Sequence, residues 1–127
     1  MRYLTAEQIL LIHSLVLEET GGSHGIRDRH AVLSLEGLPR QTFGGKELYP
    51  TIFLKAALYA RNIIMSHPFI DGNKRTAMTA ASVFLENNEQ KITAYEGAVE
   101  EFALRIIHEK LDLAVIAGWF KKNSKEI

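Results

Sequence analysis

The chain contains no cysteine, and this absence excludes a disulfide framework, a thiol nucleophile, a zinc–cysteine site and an iron–sulfur cluster. An excess of charge of one sign is also lacking. The 15 Lys and Arg residues balance 15 Asp and Glu residues, so no overall field draws the chain to nucleic acid or to an anionic membrane. Apolar runs stay well below membrane-spanning length, and the first residues lack the pattern of a secretory signal. Together these absences predict a soluble cytoplasmic protein and argue against nucleic acid or a membrane as its partner.

Disorder is excluded by the composition, because 46% of the 127 residues are hydrophobic and 24% are charged. A chain of this length is expected to fold as a single domain over residues 1–127. Apolar residues recur at helical spacing, which predicts an all-α fold. The predicted helices cover about residues 5–20, 51–65 and 73–86, and the tail on both sides of Asp112.

Six of the nine glycines fall between Gly21 and Gly45, which predicts a loop-rich stretch. Within it, a short helix is expected over about residues 28–35, capped by Asp28. The segment Gln41–Tyr49, QTFGGKELY, is compatible with a β-hairpin around its paired glycines and equally with an irregular loop. Strand alternation is otherwise nearly absent, so the pattern predicts a helical bundle with at most one small hairpin on its surface.

The densest cluster of polar side chains lies in and after the loop between the two strongly apolar helices: His67, Asp71, Asn73, Lys74 and Arg75. A helix start there would offer free backbone N–H groups and a partial positive charge to an anion, and Gly72 would let a phosphate approach the backbone. Asp71 is suited to hold a phosphate-bound Mg²⁺ ion. His67 is suited to take a proton from an attacking hydroxyl.

A purely structural interpretation of the same residues stays open from sequence alone. In that interpretation Asp71 caps the helix, Lys74 and Arg75 form a solvated first turn, and His67 is a structural histidine. Cationic side chains are unfavourable in the first turn of a helix because the helix dipole repels them. Their position therefore favours a bound anion over the structural interpretation.

The segment His67–Ala77, HPFIDGNKRTA, resembles the signature of the Fic/Doc (Fido) superfamily, in which HxFx(D/E)GN is followed by Gly or Lys and then Arg. The segments GGSHGIRDRHAVLSLEG, QTF, LYPT and FLENNE resemble the death-on-curing branch over most of the chain. The resemblance implies a compact Fido-type helical bundle with a small β-hairpin flap. In that fold the flap, here Thr42, Phe43, Gly44 and Gly45, positions the target segment by strand-like pairing.

The same resemblance implies ATP and Mg²⁺ as cofactors and assigns roles at the site. His67 would be the general base for a target hydroxyl, and Asp71 would organise the magnesium. The nucleotide phosphates would be held by the residues at the helix start: Gly72, Asn73, Lys74 and Arg75. The two cationic side chains would also neutralise the charge that develops during transfer, which gives Arg75 a catalytic role.

Two positions bear on which group is transferred. Adenylyl-transferring relatives typically carry Gly where this chain has Lys74 and a second Arg where it has Met78, whereas Lys-bearing death-on-curing toxins are associated with transfer of the terminal phosphoryl group. The resemblance therefore implies a toxin of a type II toxin–antitoxin system that phosphorylates a Ser or Thr hydroxyl of a protein target, translation elongation factor Tu, under the control of a cognate antitoxin. Gly72, usual in adenylyl transferases, keeps protein adenylylation as an alternative. A non-catalytic binding protein acting through its antitoxin is a second alternative.

Two further features receive no functional assignment. Ser82, Glu86 and Asn87 fit the short pattern (Ser/Thr)xxxE(Gly/Asn), which resembles that of the inhibitory helix of many Fic proteins. They lie on the helix after the loop, however, and are expected to complete that helix. The remaining histidines lack metal-ligand spacing and are expected at the surface or in packing contacts: His13, His24, His30 and His108.

Overall fold

Six α-helices dominate the computed structural model, which describes residues 1–127. They are α1 (Ala6–Thr20), α2 (Arg29–Ser34), α3 (Ile52–Ser66), α4 (Asn73–Asn87), α5 (Glu96–His108) and α6 (Leu113–Lys122), with a 3-10 turn at Leu38–Arg40. The strands are β1 (Thr42–Phe43), β2 (Lys46–Glu47), β3 (Gln90–Ile92) and β4 (Ser124–Glu126). The predicted helical bundle with a small hairpin is confirmed. None of the helices is both long and apolar enough to cross a membrane.

Polar side chains and one glycine fix several helix ends. The Thr5 hydroxyl accepts a hydrogen bond from the Gln8 N–H, and the Gln8 side chain accepts one from the Thr5 N–H, which closes a capping box at the start of α1. Thr51 caps α3 and Asp28 caps α2 through their side chains, the latter as predicted. α1 ends at Gly21, whose φ of 79° is rarely adopted by residues with a Cβ.

The helices α3 and α4 form the centre of the core. α3 also packs against α6, and α4 packs against α1 and α5. Both central helices carry fully buried alanines: Ala56, Ala57, Ala60, Ala77, Ala80 and Ala81. Small side chains at a contact let two helix axes lie close together. The loop that joins α3 to α4 is therefore held at both ends by the best-packed part of the molecule.

Two buried polar side chains of α3 have hydrogen-bond partners. The Tyr59 hydroxyl accepts from the Leu4 N–H at 3.1 Å, and burial raises the pKa of the Tyr59 phenol to about 12. Lys55 has no exposed side-chain surface, and its Nζ donates to the Pro39 carbonyl at 2.7 Å and to Glu47 Oε1 at 2.9 Å. Because Glu47 belongs to β2, the ion pair ties the central helix to the hairpin.

The hairpin β1–β2 occupies the predicted segment, so the alternative of an irregular loop is wrong. Its residue pairs are antiparallel: Thr42 with Glu47 and Phe43 with Lys46. Gly44 and Gly45 have φ values of 59° and 80°, and two positive φ angles are what a two-residue turn of this kind requires. All four strand residues are exposed, so the hairpin stands on the surface.

A second two-stranded sheet, which is not a hairpin, was not predicted from the sequence. β3 and β4 pair antiparallel, with Lys91 opposite Lys125. Each strand has only three residues, too few for alternation to be recognised, and the partners lie at distant points of the chain. Because the pairing is formed only in the folded protein, no local sequence pattern marks it.

Candidate active site

The loop between α3 and α4, His67–Gly72, is here named the signature loop. His67 is the C-cap residue of α3, and its φ of 48° and ψ of 58° lie in the left-handed region. Pro68 follows, and a proline cannot continue a helix because its ring removes the N–H donor. The His67 side chain is exposed, whereas Phe69 is buried at 1% exposure. The loop is thus anchored in the core by Phe69 and presents His67 at the surface.

α4 begins without a side-chain cap. Its N-cap residue is Gly72, which is left-handed with a φ of 80°. Asp71 does not cap the helix, because its Oδ2 accepts a hydrogen bond from the Ser23 N–H at 2.8 Å. This geometry contradicts the interpretation in which Asp71 is only a helix cap. The first N–H groups of α4 have no side-chain partner at the cap and can face an anion.

The absence of a side chain at Gly72 permits the backbone conformation of this residue, and a Cβ there would point towards α1. A Cβ at this residue would lie 3.2 Å from Leu17 Cδ2 and 3.8 Å from His13 Nε2, on the side of α1. The positive φ angle by itself favours glycine. Gly72 therefore shapes the start of α4.

The Asn73 side chain forms hydrogen bonds to the backbone of the signature loop. Its Oδ1 accepts from the Phe69 N–H at 3.0 Å, and its Nδ2 donates to the Phe69 carbonyl at 2.8 Å. The same Nδ2 lies 3.5 Å from His67 Nδ1. Asn73 is 7% exposed, so its carboxamide is occupied inside the loop. What Asn73 can offer directly to a phosphate is mainly its backbone N–H.

An open groove of about 830 Å³ lies beside the signature loop. Its lining includes all six residues of the predicted cluster: His67, Asp71, Gly72, Asn73, Lys74 and Arg75. The lining also includes apolar residues of α4, β3 and α5 (Met78, Ile92, Val99, Ala103 and Leu104) and the carboxylates of Glu19, Glu96 and Glu100. The fold thus brings the predicted cluster to one surface. The flap residues, numbers 42–45, do not line this groove.

The two cations of the cluster have different surroundings. Lys74 is exposed and forms no ion pair. Arg75 donates from Nη2 to Glu100 Oε1 at 3.0 Å, and its Nη1 lies 3.7 Å from Glu96 Oε1. All three paired side chains are partly exposed, and exposed ion pairs contribute only about 0–1 kcal/mol to stability. The guanidinium of Arg75 is thus held by carboxylates that an anionic ligand can replace.

Asp71 suits one particular kind of metal site. No three His, Asp or Glu side chains come together in a way that could hold a metal ion. Asp71 Oδ2 is engaged by Ser23, and no hydrogen bond occupies Oδ1. One carboxylate oxygen at this position fits Mg²⁺ that takes its other ligands from phosphates and water, and it does not fit an ion held by protein side chains alone.

Three residues that contact the loop were given no role at the site from the sequence. His13 is buried, as a packing histidine would be, but its ring also stacks on Phe69 with centroids 3.8 Å apart, and its Nε2 lies 2.8 Å from the Asp71 carbonyl oxygen. Ser23 binds the Asp71 carboxylate, and Arg27 binds carbonyls at the end of α3. All three precede the loop by more than 35 residues, so no motif spacing connects them with it.

A model of the Fic/DOC family matches residues 3–85 of this chain. The chain belongs to the Fic/DOC family. Its similarity to a protein named Toxin Doc, from Mycolicibacterium smegmatis, is 34% identity over 92 residues, which cover 72% of this chain and 68% of that protein. A protein named Protein kinase doc, from Escherichia phage P1, is 28% identical over 88 residues, 69% of each chain. These relatives confirm the resemblance of this Fic/DOC member to the death-on-curing branch.

The residues that line the groove of this Fic/DOC protein lie partly inside and partly outside the range that the family model matches. It includes α1, the flap, α3, the signature loop and most of α4. β3 and α5 lie beyond the match, and they provide Ile92, Val99 and Leu104 to the lining of the groove and both glutamates that pair with Arg75. The six predicted site residues thus lie within the family region, and the remainder of the chain contributes apolar lining residues and the carboxylates that pair with Arg75.

Proposed function

We propose that this Fic/DOC protein is a Doc-like toxin that transfers the terminal phosphoryl group of ATP to a Ser or Thr hydroxyl of a protein target. One observation carries the proposal. A histidine, a carboxylate and two cations line the same groove, whose volume, about 830 Å³, is that of a small-molecule site: His67, Asp71, Lys74 and Arg75.

In this proposal His67 acts as the general base. Its Nδ1 lies 3.5 Å from Asn73 Nδ2, which is long for a hydrogen bond, so this contact does not fix which ring nitrogen carries the proton. The free nitrogen takes the proton of the target hydroxyl while the hydroxyl oxygen bonds to the γ-phosphorus. The bond between that phosphorus and the β–γ bridging oxygen breaks, and ADP leaves.

The phosphates are proposed to bind at the start of α4. Three features supply positive charge there: the uncapped N–H groups of the helix, the exposed ammonium of Lys74, and Arg75 after it leaves its glutamates. Stabilising charge with donors that are already in place is the main source of catalysis in phosphoryl transfer. The cationic first turn, unfavourable on its own, is explained by the bound phosphates.

Asp71 is proposed to hold Mg²⁺ through Oδ1, while the Ser23 N–H keeps Oδ2 in place. When bound together with the phosphates, the ion would neutralise charge on the transferred group. Asp71→Asn would keep an acceptor for the Ser23 N–H but remove the carboxylate charge, so it separates a metal role from a role in holding the loop.

Phosphoryl transfer is favoured over adenylylation by the wall of the groove. Where adenylyl transferases carry a second arginine, this chain has Met78, which is 5% exposed and lines the groove. That position supplies no guanidinium for a phosphate. The glycine at position 72, which points to adenylylation in the sequence, faces α1 at its missing Cβ and does not widen the groove. The phage P1 relative is named a protein kinase, which agrees with phosphoryl transfer.

The biological role is proposed from the names of the relatives, one of which is called a toxin. We propose that the chain acts in the cytoplasm within a type II toxin–antitoxin system, that its target is translation elongation factor Tu, and that a cognate antitoxin silences it. The flap at residues 42–45 would receive the target segment by strand pairing, since both hairpin strands are exposed.

The proposal is tested with two ATP samples, one labelled at the γ-phosphate and one at the α-phosphate, incubated with the chain, Mg²⁺ and purified elongation factor Tu. Label from the γ-phosphate alone is expected on the factor. His67→Ala should abolish it, and His30→Ala, which removes an exposed histidine outside the groove, should not. Label from the α-phosphate would replace the proposal by adenylylation. No label with either sample, combined with growth inhibition that persists in His67→Ala, would favour the non-catalytic binding protein.

A further inference from the structure

A segment before α2 runs alongside the signature loop in the manner of a β-strand. The N–H groups of Arg27 and Asp28 both donate to the Pro68 carbonyl, at 2.7 and 3.0 Å. The Ile70 N–H donates to the Gly25 carbonyl at 3.2 Å. Between these bonds, Ile26 forms an antiparallel bridge with Phe69. The backbone of the loop is therefore paired with a neighbouring segment although it forms no regular sheet.

The Arg27 side chain extends this pairing to the end of α3. Its Nε donates to the His67 carbonyl at 2.8 Å, and its Nη2 donates to the Ser66 carbonyl at 3.0 Å. The last carbonyls of a helix have no partner within the helix, and a cation placed there also complements the helix dipole. One planar guanidinium thus satisfies two neighbouring carbonyls with a fixed geometry that a lysine ammonium does not reproduce.

The backbone that Arg27 holds is strained. His67 adopts a left-handed φ of 48°, which costs free energy for a residue with a Cβ, and Pro68 has no N–H with which to stabilise the turn. The direction of the His67 Cα–Cβ bond is set by this backbone conformation. Any change in φ at His67 would therefore swing the imidazole away from the groove that it lines.

We propose that Arg27 is a positioning residue that holds His67 in the left-handed conformation from which its ring meets the target hydroxyl. Arg27 does not line the groove, so it acts through the His67 backbone and not on the nucleotide. The kinetic role rests on the proposed function, because a proton acceptor needs a fixed position only if transfer takes place.

The kinetic test compares Arg27→Ala and Arg27→Lys with Arg29→Ala, which removes a neighbouring exposed arginine that makes no side-chain hydrogen bond. We expect Arg27→Ala to lower kcat by about 10- to 100-fold, since small displacements of a reacting group have effects of this size, and to leave KM for ATP within about twofold. Added ethylguanidinium should restore part of kcat in Arg27→Ala and none in His67→Ala. Arg27→Lys should stay slow because it lacks the planar fork.

A second measurement does not depend on activity. Amide hydrogen exchange of the chain alone should quicken at His67, Phe69 and Ile70 in Arg27→Ala and stay unchanged in Arg29→Ala. Should the wild-type chain transfer nothing, the proposed function fails, yet the exchange rates still decide whether Arg27 holds the loop. Unchanged exchange in Arg27→Ala would overturn the positioning role. A raised KM for ATP with an unchanged kcat would also overturn it, because Arg27 would then contact the nucleotide.

Discussion

The signature loop and the flap are held in the fold in opposite ways. The loop is hydrogen-bonded from several sides, by the Asn73 side chain, by His13 of α1 and by the segment that contains Arg27. The flap belongs to the β1–β2 hairpin, whose two-residue strands are fully exposed, and the ion pair between Glu47 of β2 and the buried Lys55 links this hairpin to the core. The loop thus has several hydrogen-bond partners in the core, whereas the hairpin that carries the flap has one side-chain hydrogen bond to it.

This difference matches what the two regions have to do in the proposed reaction. Groups that stabilise charge or take a proton work best when already in place, because no reorganisation is then needed during the reaction. A strand edge that pairs with an extended target segment binds it better when the strand can adjust its backbone to that segment. Segments with few buried contacts adjust most easily because they open at a low cost in free energy. The comparison therefore predicts that loop mutations change turnover and flap mutations change target binding.

The largest effect is expected from Asn73→Ala, which removes the two side-chain hydrogen bonds to the Phe69 backbone in the signature loop. The Phe69 N–H and carbonyl both lose a buried partner, so the free energy of unfolding should fall by about 2–4 kcal/mol, and transfer should drop to background. Urea unfolding and a transfer assay measure the two effects. Asn87→Ala, an exposed asparagine of the same helix, is the control and should change stability by less than about 0.5 kcal/mol. Equal losses in the two variants would show that Asn73 does not hold the loop.

Lys55→Met should loosen the flap and leave the loop intact. Methionine fills the buried space, but the Pro39 carbonyl loses its donor, which costs about 1–3 kcal/mol. KM for the protein target should rise several-fold, while KM for ATP should stay within about twofold. Steady-state kinetics and hydrogen exchange of the flap amides give the answer, with the exposed Lys91→Met as control. A matching rise in KM for ATP would mean that flap and loop are coupled and would break the comparison.

A smaller effect is expected at the tip of the flap. Phe43 is 82% exposed, so Phe43→Ser should change the free energy of unfolding by less than about 0.5 kcal/mol. If the tip contacts the target, kcat/KM for the target should fall several-fold with no change in ATP binding. Tyr95→Ser, at an aromatic residue 73% exposed on another element, serves as the control. Indistinguishable kinetics for both variants would place the target away from the flap.

The smallest effect is expected at Glu100 of α5, which pairs with Arg75. Glu100→Gln weakens an exposed ion pair with Arg75, so stability should change by at most about 1 kcal/mol. Removing this charge from the groove should tighten ATP binding, measured by titration calorimetry at low salt, and the gain should shrink as salt screens the charges. Glu109→Gln is the control because Glu109 pairs with Arg105 at a similar distance outside the groove. An equal gain in that variant would indicate a general charge effect.

Much of the fold and of the candidate site was predictable from sequence because the signals are local. Thr51 and Asp28 lie directly before the helices that they cap, the glycine pair marks the hairpin, and the polar cluster occupies consecutive positions of one loop and one helix turn. The β3–β4 pairing was missed because its strands are short and distant. The hydrogen bonds between the Asn73 side chain and the Phe69 backbone were not predicted, because a motif gives the residue and not the direction of its side chain.

The sequence by itself determined which chemical groups are present and which helices carry them, because helix periodicity, capping and motif spacing act over a few residues. Only the tertiary structure decided how those groups are held. The stacking of His13, the binding of Asp71 by Ser23 and the hydrogen bonds from Arg27 join residues separated by about forty to sixty positions. Contacts over such distances form when the core packs α1 and α3 around α4, and that packing depends on the whole chain and not on any one segment.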